Sequence, residues 1–417
     1  MKALKITGGK KLSGTIRIGG DKNSCVALIP AAILSDDEVT ICNVPEITDV
    51  DALSEILKLL KCDVKCASES IVINSKNMEN VEIPEEYSKK LRASYYFMGA
   101  LLAKYKEVTM YFPGGCSIGA RPIDLHLKGF EAMGANIEVD GNRYHIKAEE
   151  LKGASIYLDI VSVGATLNIM IAATKAKGIT TIENAAKEPQ IVNVATLLNN
   201  MGAKITGAGT STIKIEGVEN LDGCFHEVIP DRIEAGTYMI AGALCGKDLK
   251  IDNIIPEHVE ALTAKLKDMG VDVSSGPDYL VINAKENYKP VNIRTAPYPG
   301  FVTDWQQLFT IPLIYANGRS TIEETIWENR FMHVPYLNDM GANIEVIDDM
   351  AIIHGPTTLK GTEVVSTDLR GGAAMVLAGL IAEGETTVTN VDHILRGYER
   401  IVEKLTDVGA KIEYIEI

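Results

Sequence analysis

The sequence contains no long uninterrupted apolar run and has fewer basic than acidic residues. No stretch approaches the roughly 20 apolar residues that a membrane-spanning helix needs, so we expect no membrane segment. The net charge of −15 argues against a nucleic-acid binder, because binding to a phosphate backbone requires a basic face. A small anionic substrate needs only a local basic cluster, and that class of ligand stays open.

Cysteine is too sparse and too scattered for a disulfide framework or a zinc site. The seven cysteines are odd in number, and Cys62 and Cys66 have neither the spacing nor the second pair of a zinc knuckle. We therefore expect no metal site, and we also predict that no organic cofactor is needed. The first 20 residues lack an apolar h-region. We therefore expect no signal peptide and a reduced, cytoplasmic compartment.

A motif that joins a helix to a strand recurs about every 70 residues. It appears as FEAMGANIEV, LNNMGAKITG, LKDMGVDVSS, LNDMGANIEV and LTDVGAKIEY, with a degenerate first copy, LKLLKCDVKC, around Lys61. The five glycines, at positions 134, 202, 270, 341 and 409, are 68, 68, 71 and 68 residues apart. We expect each of them to end a helix in the left-handed conformation, which glycine adopts at little cost. The alternating residues that follow predict a half-buried strand.

A second signature keeps the same period, with one polar residue just before a strongly apolar helix. Helices that are apolar nearly all round are predicted to be buried. The polar residues are Lys22, Arg92, Ser162, Arg232, Asp304 and Arg370, and the first four are 70 residues apart.

Six such units, each with two helices and several strands, predict an α/β protein. The sixth unit ends at Ile417, about 25 residues early for the period, and the N-terminal segment is expected to supply its missing strands. Chain crossings near 20–21 and 229–230 then give two domains of three units, 22–229 and 1–21 plus 230–417. A solenoid of stacked repeats is the alternative, but solenoid units are usually shorter.

The repeat also predicts where anions bind. If the three buried helices of a domain run parallel, their N-termini emerge on one face, with unpaired N–H groups and the positive ends of the helix dipoles. Two such faces across a cleft would bind phosphate and carboxylate groups, and the cleft would close by domain motion.

The densest cluster of reactive residues is PGGCSIGARPIDLHLKG, residues 113–129. Its Pro and Gly residues predict a mobile loop. We expect the Gly-Gly-Cys turn to expose the Cys116 thiol, and Arg121 can lower the pKa of that thiol. An exposed thiol of this kind can act as an acid or as a nucleophile.

This loop and ten further segments resemble the UDP-N-acetylglucosamine 1-carboxyvinyltransferase family of enolpyruvyl transferases. The matches are collinear and span essentially the whole chain: DKNS at 21–24, LRAS at 91–94, SVGAT at 162–166, ENAAKEPQIVN at 183–193, PDRIEAGTY at 230–238, RTAP at 294–297, TD at 303–304, ENRFMHV at 328–334, DLR at 368–370 and RGYER at 396–400. The resemblance implies two domains, each of three repeated βαβαββ-type units with buried parallel helices (an inside-out α/β barrel). The active site is then expected in the cleft between them.

The resemblance also implies a reaction and its partners. The enolpyruvyl group of phosphoenolpyruvate would move to the 3-hydroxyl of UDP-N-acetylglucosamine, with release of phosphate. This is the first committed step of peptidoglycan synthesis and the step that fosfomycin blocks by alkylating the family's cysteine. Small molecules are then the expected partners, with no nucleic acid and no membrane.

Residue roles follow from the same resemblance. Cys116 is expected to be the general acid and Asp304 the base toward the sugar hydroxyl, with Lys22 and Arg396 as further catalytic residues. The phosphoenolpyruvate site is expected to comprise Lys22, Asn23, Arg121, Arg330, Arg370 and Arg396. The nucleotide-sugar site is expected to comprise Asn23, Arg92, Arg121, Pro122, Ile123, Asp124, Leu125, Ser162, Val163, Gly164, Asp304 and Ile326.

Two residues depart from the family pattern. Ile160 stands where many relatives have Lys, although others also have an aliphatic residue there, and Leu395 stands where Asp is frequent. Asp231 and Arg232 are interpreted as a helix cap and its neighbour, His126 as a hydrogen-bonding neighbour of the site, and His333 as a packed core residue.

Two other functions are compatible with the fold. One is enolpyruvyl transfer to another alcohol such as shikimate 3-phosphate, although that sister family lacks the Gly-Gly-Cys loop. The other is a non-catalytic regulator that binds nucleotide sugar. The presence of Cys116, Asp304 and the arginines argues against it.

Overall fold

The computed structural model describes residues 2–112 and 123–417, which form two compact units. The N-terminal unit contains residues 20–112 and 123–229, and the C-terminal unit contains residues 2–19 and 230–417. The chain therefore passes between the units at 19–20 and 229–230, beside the crossings expected from the repeat. Cys116, Arg121 and Pro122 lie outside the described residues.

Fourteen α-helices occur within the described residues, and none of them is long and apolar enough to cross a membrane. They are α1 Lys22–Ala32, α2 Thr48–Leu59, α3 Glu85–Lys90, α4 Tyr96–Tyr105, α5 Asp124–Ala132, α6 Val163–Ala173, α7 Pro189–Asn200, α8 Arg232–Cys245, α9 Glu260–Asp268, α10 Gln306–Ile314, α11 Val334–Asp339, α12 Leu369–Ile381, α13 Asp392–Leu395 and α14 Ile401–Asp407. Short 3₁₀ helices span Arg92–Tyr95, Pro256–Val259 and Thr303–Trp305.

The same part of the chain contains 23 strands. They are β1 Lys2–Thr7, β2 Leu12–Arg17, β3 Val39–Cys42, β4 Asp63–Ala67, β5 Ser70–Asn74, β6 Glu107–Tyr111, β7 Asn136–Asp140, β8 Arg143–Lys147, β9 Ser155–Tyr157, β10 Ile179–Glu183, β11 Lys204–Thr206, β12 Thr212–Glu216, β13 Cys224–Glu227, β14 Gly246–Asp252, β15 Asp272–Ser275, β16 Tyr279–Asn283, β17 Asn292–Arg294, β18 Arg319–Glu323, β19 Ile344–Ile347, β20 Met350–His354, β21 Glu363–Val365, β22 Glu385–Thr389 and β23 Lys411–Glu416.

Each unit consists of small sheets around buried helices. The sheets of the N-terminal unit have the strand orders β13-β3-β5-β4, β6-β8-β7 and β11-β12-β10-β9. Those of the C-terminal unit are β15-β16-β14-β2, β17-β18-β20-β19 and β21-β22-β1-β23. One sheet for each repeat confirms the α/β fold class predicted from the sequence.

The apolar helices of the second signature are buried on all sides, as their composition predicts. In α6, every residue from 165 to 173 is buried, and α12 is buried from Arg370 to Leu380. Helix α4 packs against α6 so closely that a Cβ on Gly99 would lie 2.3 Å from Asn168 Oδ1, where the Gly99 N–H instead donates a 2.8 Å hydrogen bond. Because a side chain at position 99 would separate these helices, only glycine fits there.

The two crossings exchange strands between the repeats. In three repeats, the strand before the buried helix pairs in parallel with the strand after it, as in β9–α6–β10, β17–α10–β18 and β21–α12–β22. At the crossings, β2 leads into α1 but pairs with β14, while β13 leads into α8 but pairs with β3. The first and fourth repeats therefore complete each other's sheets.

The N-terminal segment closes the C-terminal unit, but its two strands join different sheets. Strand β1 lies antiparallel between β22 and β23, with Lys2 opposite Glu416, which confirms that the N-terminus completes the sixth repeat. Strand β2 instead completes the fourth repeat through β14. The sequence expectation that both strands serve the sixth repeat was therefore wrong for β2.

The recurring glycines end their helices as predicted. Their φ angles are 94°, 104°, 93°, 105° and 103° at Gly134, Gly202, Gly270, Gly341 and Gly409. In the degenerate first copy the same place is taken by Lys61, with a φ of 63°. The geometry of the repeat is therefore kept where its glycine is absent. Lys61 adopts the left-handed conformation although this conformation is sterically unfavourable for a residue other than glycine.

A buried charge cluster joins three segments of the C-terminal unit. Lys404 Nζ lies 2.6 Å from Glu234 Oε1 and 3.3 Å from Glu399 Oε2, and the Gly19 N–H donates to Glu234 Oε2 at 2.9 Å. Burial raises the pKa of Glu234, while Lys404 acts in the opposite direction. The cluster ties the segment before the first crossing to α8 and α14.

We predict that Lys404→Met destabilises the protein by about 3–5 kcal/mol, since removing one partner leaves buried carboxylates without a counter-charge. Urea denaturation measures the loss. The control is Lys285→Met, which breaks an ion pair with Asp272 whose side chains are half exposed and should cost at most about 1 kcal/mol. Equal losses in the two variants would contradict a stabilising role for the cluster.

A second buried polar cluster links α4, α5 and α6 in the N-terminal unit. Asn168 Nδ2 lies 2.9 Å from the Tyr95 carbonyl oxygen and 3.1 Å from His126 Nδ1. Burial, and secondarily the charge of Arg92, lower the pKa of His126 to about 3. His126 is therefore neutral in the folded protein at physiological pH.

This lowered pKa predicts a loss of stability in acid. Between about pH 6.5 and pH 3 the unfolded chain binds a proton at His126 that the folded protein does not, so stability falls as the pH falls through this window. His126→Gln removes the effect, and its stability deficit relative to wild type should shrink by about 2 kcal/mol between pH 7.5 and pH 5. Urea denaturation at both pH values tests this. His354→Gln, at a half-exposed position, is the control; a pH-independent deficit in His126→Gln would contradict the prediction.

Candidate active site

Asp304 forms the centre of a compact charged cluster in the C-terminal unit. Its Oδ1 accepts a hydrogen bond from Arg330 Nη2, and its Oδ2 accepts from Arg370 Nε at 3.4 Å. Both arginine side chains are 3% exposed, whereas that of Asp304 is 30% exposed. Three residues predicted separately, and as far as 66 positions apart, thus lie together.

Arg370 is held at the start of α12. The N-cap residue Asp368 accepts hydrogen bonds from the backbone N–H groups of Arg370 and Gly371 at 3.0 and 3.1 Å. The guanidinium carbon lies 5.3 Å from the centre of the Tyr398 ring, and the Tyr398 hydroxyl is 2.8 Å from Thr237 Oγ1. Burial opposes the charge of Arg370, but Tyr398, Asp304 and Asp231 outweigh it and raise the pKa of this guanidinium above its ordinary value.

Arg370 nevertheless keeps one donor unused. Its Nη1 is buried and has no hydrogen-bond partner among the described residues. A buried guanidinium donor without a partner carries a desolvation penalty. An anionic oxygen bound at this point would remove that penalty.

Arg330 is held by the helix that follows Asp304. The side-chain amide of Gln307 forms hydrogen bonds through both its oxygen and its nitrogen in one orientation only. In that orientation the oxygen accepts from Arg330 Nε at 2.8 Å and the nitrogen donates to the Thr303 carbonyl oxygen at 3.3 Å. Gln307 is fully buried in α10. The side chain of Arg330 is thereby oriented from two directions, by Gln307 and by Asp304.

The segment around Asp304 and Ile326 is organised by Glu324. This buried carboxylate accepts hydrogen bonds from Thr295 Oγ1 at 3.0 Å, Thr303 Oγ1 at 2.8 Å and the Ile326 N–H at 2.9 Å. The residue that precedes Asp304 is thus joined to the backbone of Ile326. The two predicted nucleotide-sugar contacts of this unit are brought together through Glu324.

Two further predicted positions lie near the same helices. Arg396 ends the short helix α13, two residues before Tyr398, and is half buried. Asp231 caps α8 by accepting from the N–H groups of Ile233 and Glu234 at 2.8 and 2.9 Å, which confirms its interpretation as a cap. Arg232 lies over the rings of Tyr298 and Trp305, at 5.2 and 5.7 Å from their centres.

In the N-terminal unit, Lys22 is the first residue of α1 and faces an acidic partner. Its Nζ lies 3.0 Å from Asp49 Oδ2, and both side chains are largely buried. Asp21 caps the helix by accepting from the Ser24 N–H at 2.7 Å. Asn23 follows Lys22 on the same half-buried first turn.

The predicted nucleotide-sugar segments of this unit converge on His126 and Asn168. Arg92 begins the 3₁₀ helix that contains Tyr95, and its charge acts on His126. Gly164 faces the same pair of rings: a Cβ there would lie 2.9 Å from the Tyr95 hydroxyl and 3.0 Å from His126. His126 is hydrogen-bonded to Asn168 and lies beside these predicted positions, while its place next to a substrate stays a prediction.

The remaining residues of these segments start the helices. Ser162 caps α6 through its hydroxyl, which accepts from the Ala165 N–H at 3.2 Å, and Val163 is the first residue of that helix. Asp124 begins α5 and is exposed, while Ile123 and Leu125 on either side are buried. Ile160, which replaces the Lys of many relatives, is 70% exposed.

Several partners of the site residues were not identified from the sequence. Gln307, Glu324 and Asn168 lie outside the motifs, while Thr237 and Tyr398 belong to PDRIEAGTY and RGYER without a role that the motifs indicate. Apart from Tyr398, each lies in an apolar helix or beside a strand, where a buried polar residue is the one available signal. His333 is fully buried with its Nε2 3.3 Å from Thr310 Oγ1, which confirms it as a packed core residue.

The site contains charged groups but no metal-binding arrangement among the described residues. No group of three or more His, Cys, Asp or Glu side chains there could hold a metal ion. The arrangement that is present combines a carboxylate, two buried guanidinium groups and one unused guanidinium donor. It suits the recognition of a small carboxylate or phosphate.

Comparison with known proteins connects this arrangement to one family. The family model of EPSP synthase (3-phosphoshikimate 1-carboxyvinyltransferase) matches residues 6–405. A protein of Geobacillus kaustophilus named UDP-N-acetylglucosamine 1-carboxyvinyltransferase 2 is 53% identical over 412 residues, 99% of this chain and 96% of that protein. The protein of the same name from Bacillus subtilis is 51% identical over 413 residues, which cover 99% of this chain and 96% of that protein.

Solved structures share the fold. The crystal structure of the enolpyruvyl transferase NikO from Streptomyces tendae matches with a TM-score of 0.90 and 28% identity over 99% of each chain. EPSP synthase from Acinetobacter baumannii matches over the full length of both chains with a TM-score of 0.77 and 19% identity, which shows the fold alone. The chain therefore belongs to the UDP-N-acetylglucosamine 1-carboxyvinyltransferase family, within the enolpyruvyl transferases that the EPSP synthase model describes.

Proposed function

We propose that this protein transfers the enolpyruvyl group of phosphoenolpyruvate to the 3-hydroxyl of UDP-N-acetylglucosamine and releases phosphate, as in the first committed step of peptidoglycan synthesis. The relatives that carry this activity in their name are more than half identical over almost the whole chain. The observation in the structure that supports it best is the pairing of a half-buried carboxylate with two buried arginines at Asp304.

The reaction needs an acid and a base that act on different partners. In the addition step, the methylene carbon of phosphoenolpyruvate gains a proton while the sugar oxygen loses its proton and bonds to the adjacent carbon. In the elimination step, the new methyl group loses a proton and the bond to phosphate breaks, so that the double bond returns. One positioned acid and one positioned base each contribute about 10²–10⁴-fold.

We assign these roles to Cys116 and Asp304. Asp304 would accept the proton of the sugar hydroxyl, and its partial exposure leaves its carboxylate accessible to a ligand. Cys116 would protonate the methylene carbon. Its position lies outside the described residues, so this role rests on the motif alone.

The arginines would bind the anionic groups of phosphoenolpyruvate. We propose that Arg330 and Arg370 bind the carboxylate, since both are buried and Arg370 has an unused donor. Lys22, Arg121 and Arg396 would bind the phosphate. Guanidinium forks fit carboxylate and phosphate groups with two parallel hydrogen bonds.

The nucleotide sugar would be bound by the segments that meet at His126, together with residues beside Asp304. We assign Arg92, Asp124, Ser162, Val163 and Gly164 to this site. The other residues that we assign to the nucleotide-sugar site are Asn23, Arg121, Pro122, Ile123, Leu125, Asp304 and Ile326.

The first test is phosphate release from phosphoenolpyruvate, measured with UDP-N-acetylglucosamine and separately with shikimate 3-phosphate. Release with the nucleotide sugar alone, and a product whose mass corresponds to an enolpyruvyl ether, is the expected result. Release with shikimate 3-phosphate alone would identify the other transferase. Binding of the nucleotide sugar without release in either reaction would contradict the proposal and favour a regulator.

A second prediction concerns how Arg370 is positioned. Tyr398→Phe keeps the ring beneath the guanidinium but removes the hydroxyl that hydrogen-bonds Arg370 and Thr237, so Arg370 should bind a carboxylate less well. We expect KM for phosphoenolpyruvate to rise about tenfold, the order expected for a hydrogen bond to a charged group, while KM for the nucleotide sugar changes little.

The matched control is Tyr238→Phe, which removes another buried tyrosine hydroxyl of the same unit, one with no hydrogen-bond partner among the described residues. It should leave both KM values unchanged. A similar rise in both variants would mean that loss of any buried hydroxyl disturbs the unit, and Tyr398 would have no specific positioning role.

A further inference from the structure

The carboxylate of Asp304 lies where a substrate carboxylate would be expected. Arg330 Nη2 and Arg370 Nε, which point to Asp304 in this structure, belong to the two arginines assigned to the carboxylate of phosphoenolpyruvate. The base and the substrate group thus require the same donors. The inference that follows rests on the proposed function and concerns the order of events at that site.

The arginines have little freedom to serve both carboxylates by moving. Arg330 is fixed by Gln307 at its Nε, and Arg370 is fixed by the Tyr398 ring and by the cap of α12. Their side chains are 3% exposed, against 30% for Asp304. The aspartate is therefore the member of the cluster that can be displaced with the least loss of packing.

The free donor of Arg370 favours the same exchange. Arg370 Nη1 is buried and has no partner among the described residues, while Asp304 and Asp231 both act on the charge of Arg370. A substrate carboxylate that uses this donor brings another negative charge beside Asp304, and two carboxylates at one site disfavour each other's ionised form. Release of Asp304 from the arginines relieves that repulsion.

Contact with the arginines also affects the ability of Asp304 to act as a base. Two neighbouring guanidinium groups stabilise a carboxylate as the anion and so oppose transfer of a proton to it. As long as Asp304 keeps both contacts, it is poorly suited to accept the proton of a sugar hydroxyl. Loss of one or both contacts would make it a better acceptor.

We propose that Asp304 is an internal substitute for the substrate carboxylate: it occupies Arg330 and Arg370 in the absence of phosphoenolpyruvate and is released toward the sugar hydroxyl when the substrate's carboxylate replaces it. Binding of the second substrate thereby activates the base. The free enzyme keeps its buried arginines compensated, and the base becomes active when both reactants are present.

The test is the affinity of the Asp304→Asn variant for 2-phosphoglycolate, measured by isothermal titration calorimetry with saturating UDP-N-acetylglucosamine. This ligand has a carboxylate and a phosphate but no double bond, so it binds without reacting. Because asparagine has the shape of aspartate without its charge, the variant lacks the internal competitor. We expect 2-phosphoglycolate to bind the variant at least tenfold more tightly than it binds the wild type. The affinity for inorganic phosphate should change less than twofold.

A charge-matched control separates competition from a general change in electrostatic field. Glu328→Gln removes one exposed negative charge two residues from Arg330, and it should change neither affinity by more than twofold. If Asp304→Asn is not folded, Asp304→Ala is measured with the same two ligands, since it also lacks the carboxylate.

Three results would overturn the inference. Unchanged or weaker binding of 2-phosphoglycolate by the variant would mean that Asp304 supports the arginines rather than competing for them. An equal gain in affinity for 2-phosphoglycolate and for phosphate would indicate a general electrostatic effect. Tighter binding of 2-phosphoglycolate by Glu328→Gln would indicate the same. Phosphate release by the wild type is measured on the same preparation; if the wild type turns over and 2-phosphoglycolate does not tighten, the exchange alone is wrong, whereas a wild type without turnover contradicts the proposed function.

Discussion

Burial of the apolar helices on all sides is the constraint on which the rest of this structure depends. A helix surrounded by other helices and by sheets cannot carry a polar side chain along its length without a buried partner. Its first turn is different, because the backbone N–H groups there have no partner within the helix and favour polar and anionic neighbours. The polar residues of the repeat stand at helix starts: Lys22 and Arg232 begin α1 and α8, Ser162 caps α6, and Arg370 lies in the first turn of α12. The positive end of the helix dipole favours the Ser162 cap but opposes a cation, and Lys22 and Arg370 are each paired with an acid there.

The same burial explains why the basic residues are paired with acids. Lys22 faces Asp49, Lys404 faces Glu234, and Arg370 faces Asp304. Each basic group would be costly if it stood alone at these positions. In such a site each cation already has an acidic partner, and an anionic substrate binds by replacing that partner. The free energy needed to release the internal acid then lowers the affinity for the substrate.

Much of the fold could be predicted from the sequence because its main elements repeat. The glycines at 134, 202, 270, 341 and 409 have the left-handed conformation that their spacing predicts, and Lys61 keeps it in the degenerate copy. The error at β2 has a physical reason. In other repeats a strand pairs with the strand that follows its own helix, but β2 leads into α1 and pairs with β14, which follows α8. A pattern of single repeats does not contain that exchange.

The candidate site was predictable to a smaller extent, and the limit lies in long-range contacts. Motif residues such as Asp304 and Arg370 were identified, but their supports, Gln307 and Tyr398, act through side chains from other segments of the chain. Glu324 is a stronger example, since it joins Thr295, Thr303 and Ile326 although its own neighbours in the sequence give no sign of this role. Such residues have no local signature because their function is defined by what they contact.

The two crossings show how the repeat and the chemistry are connected. The Asp21 N–H donates to the Ile229 carbonyl oxygen at 2.7 Å, and the Asp231 N–H donates to the Gly19 carbonyl oxygen at 2.9 Å. Each of these aspartates then caps the helix that begins with Lys22 or Arg232. Because the backbone of each crossing is fixed immediately before the helix starts, these two basic residues take their positions from the crossings themselves. A change in the crossing segments would therefore be expected to alter the placement of Lys22 and Arg232 before it altered the cores of the two units.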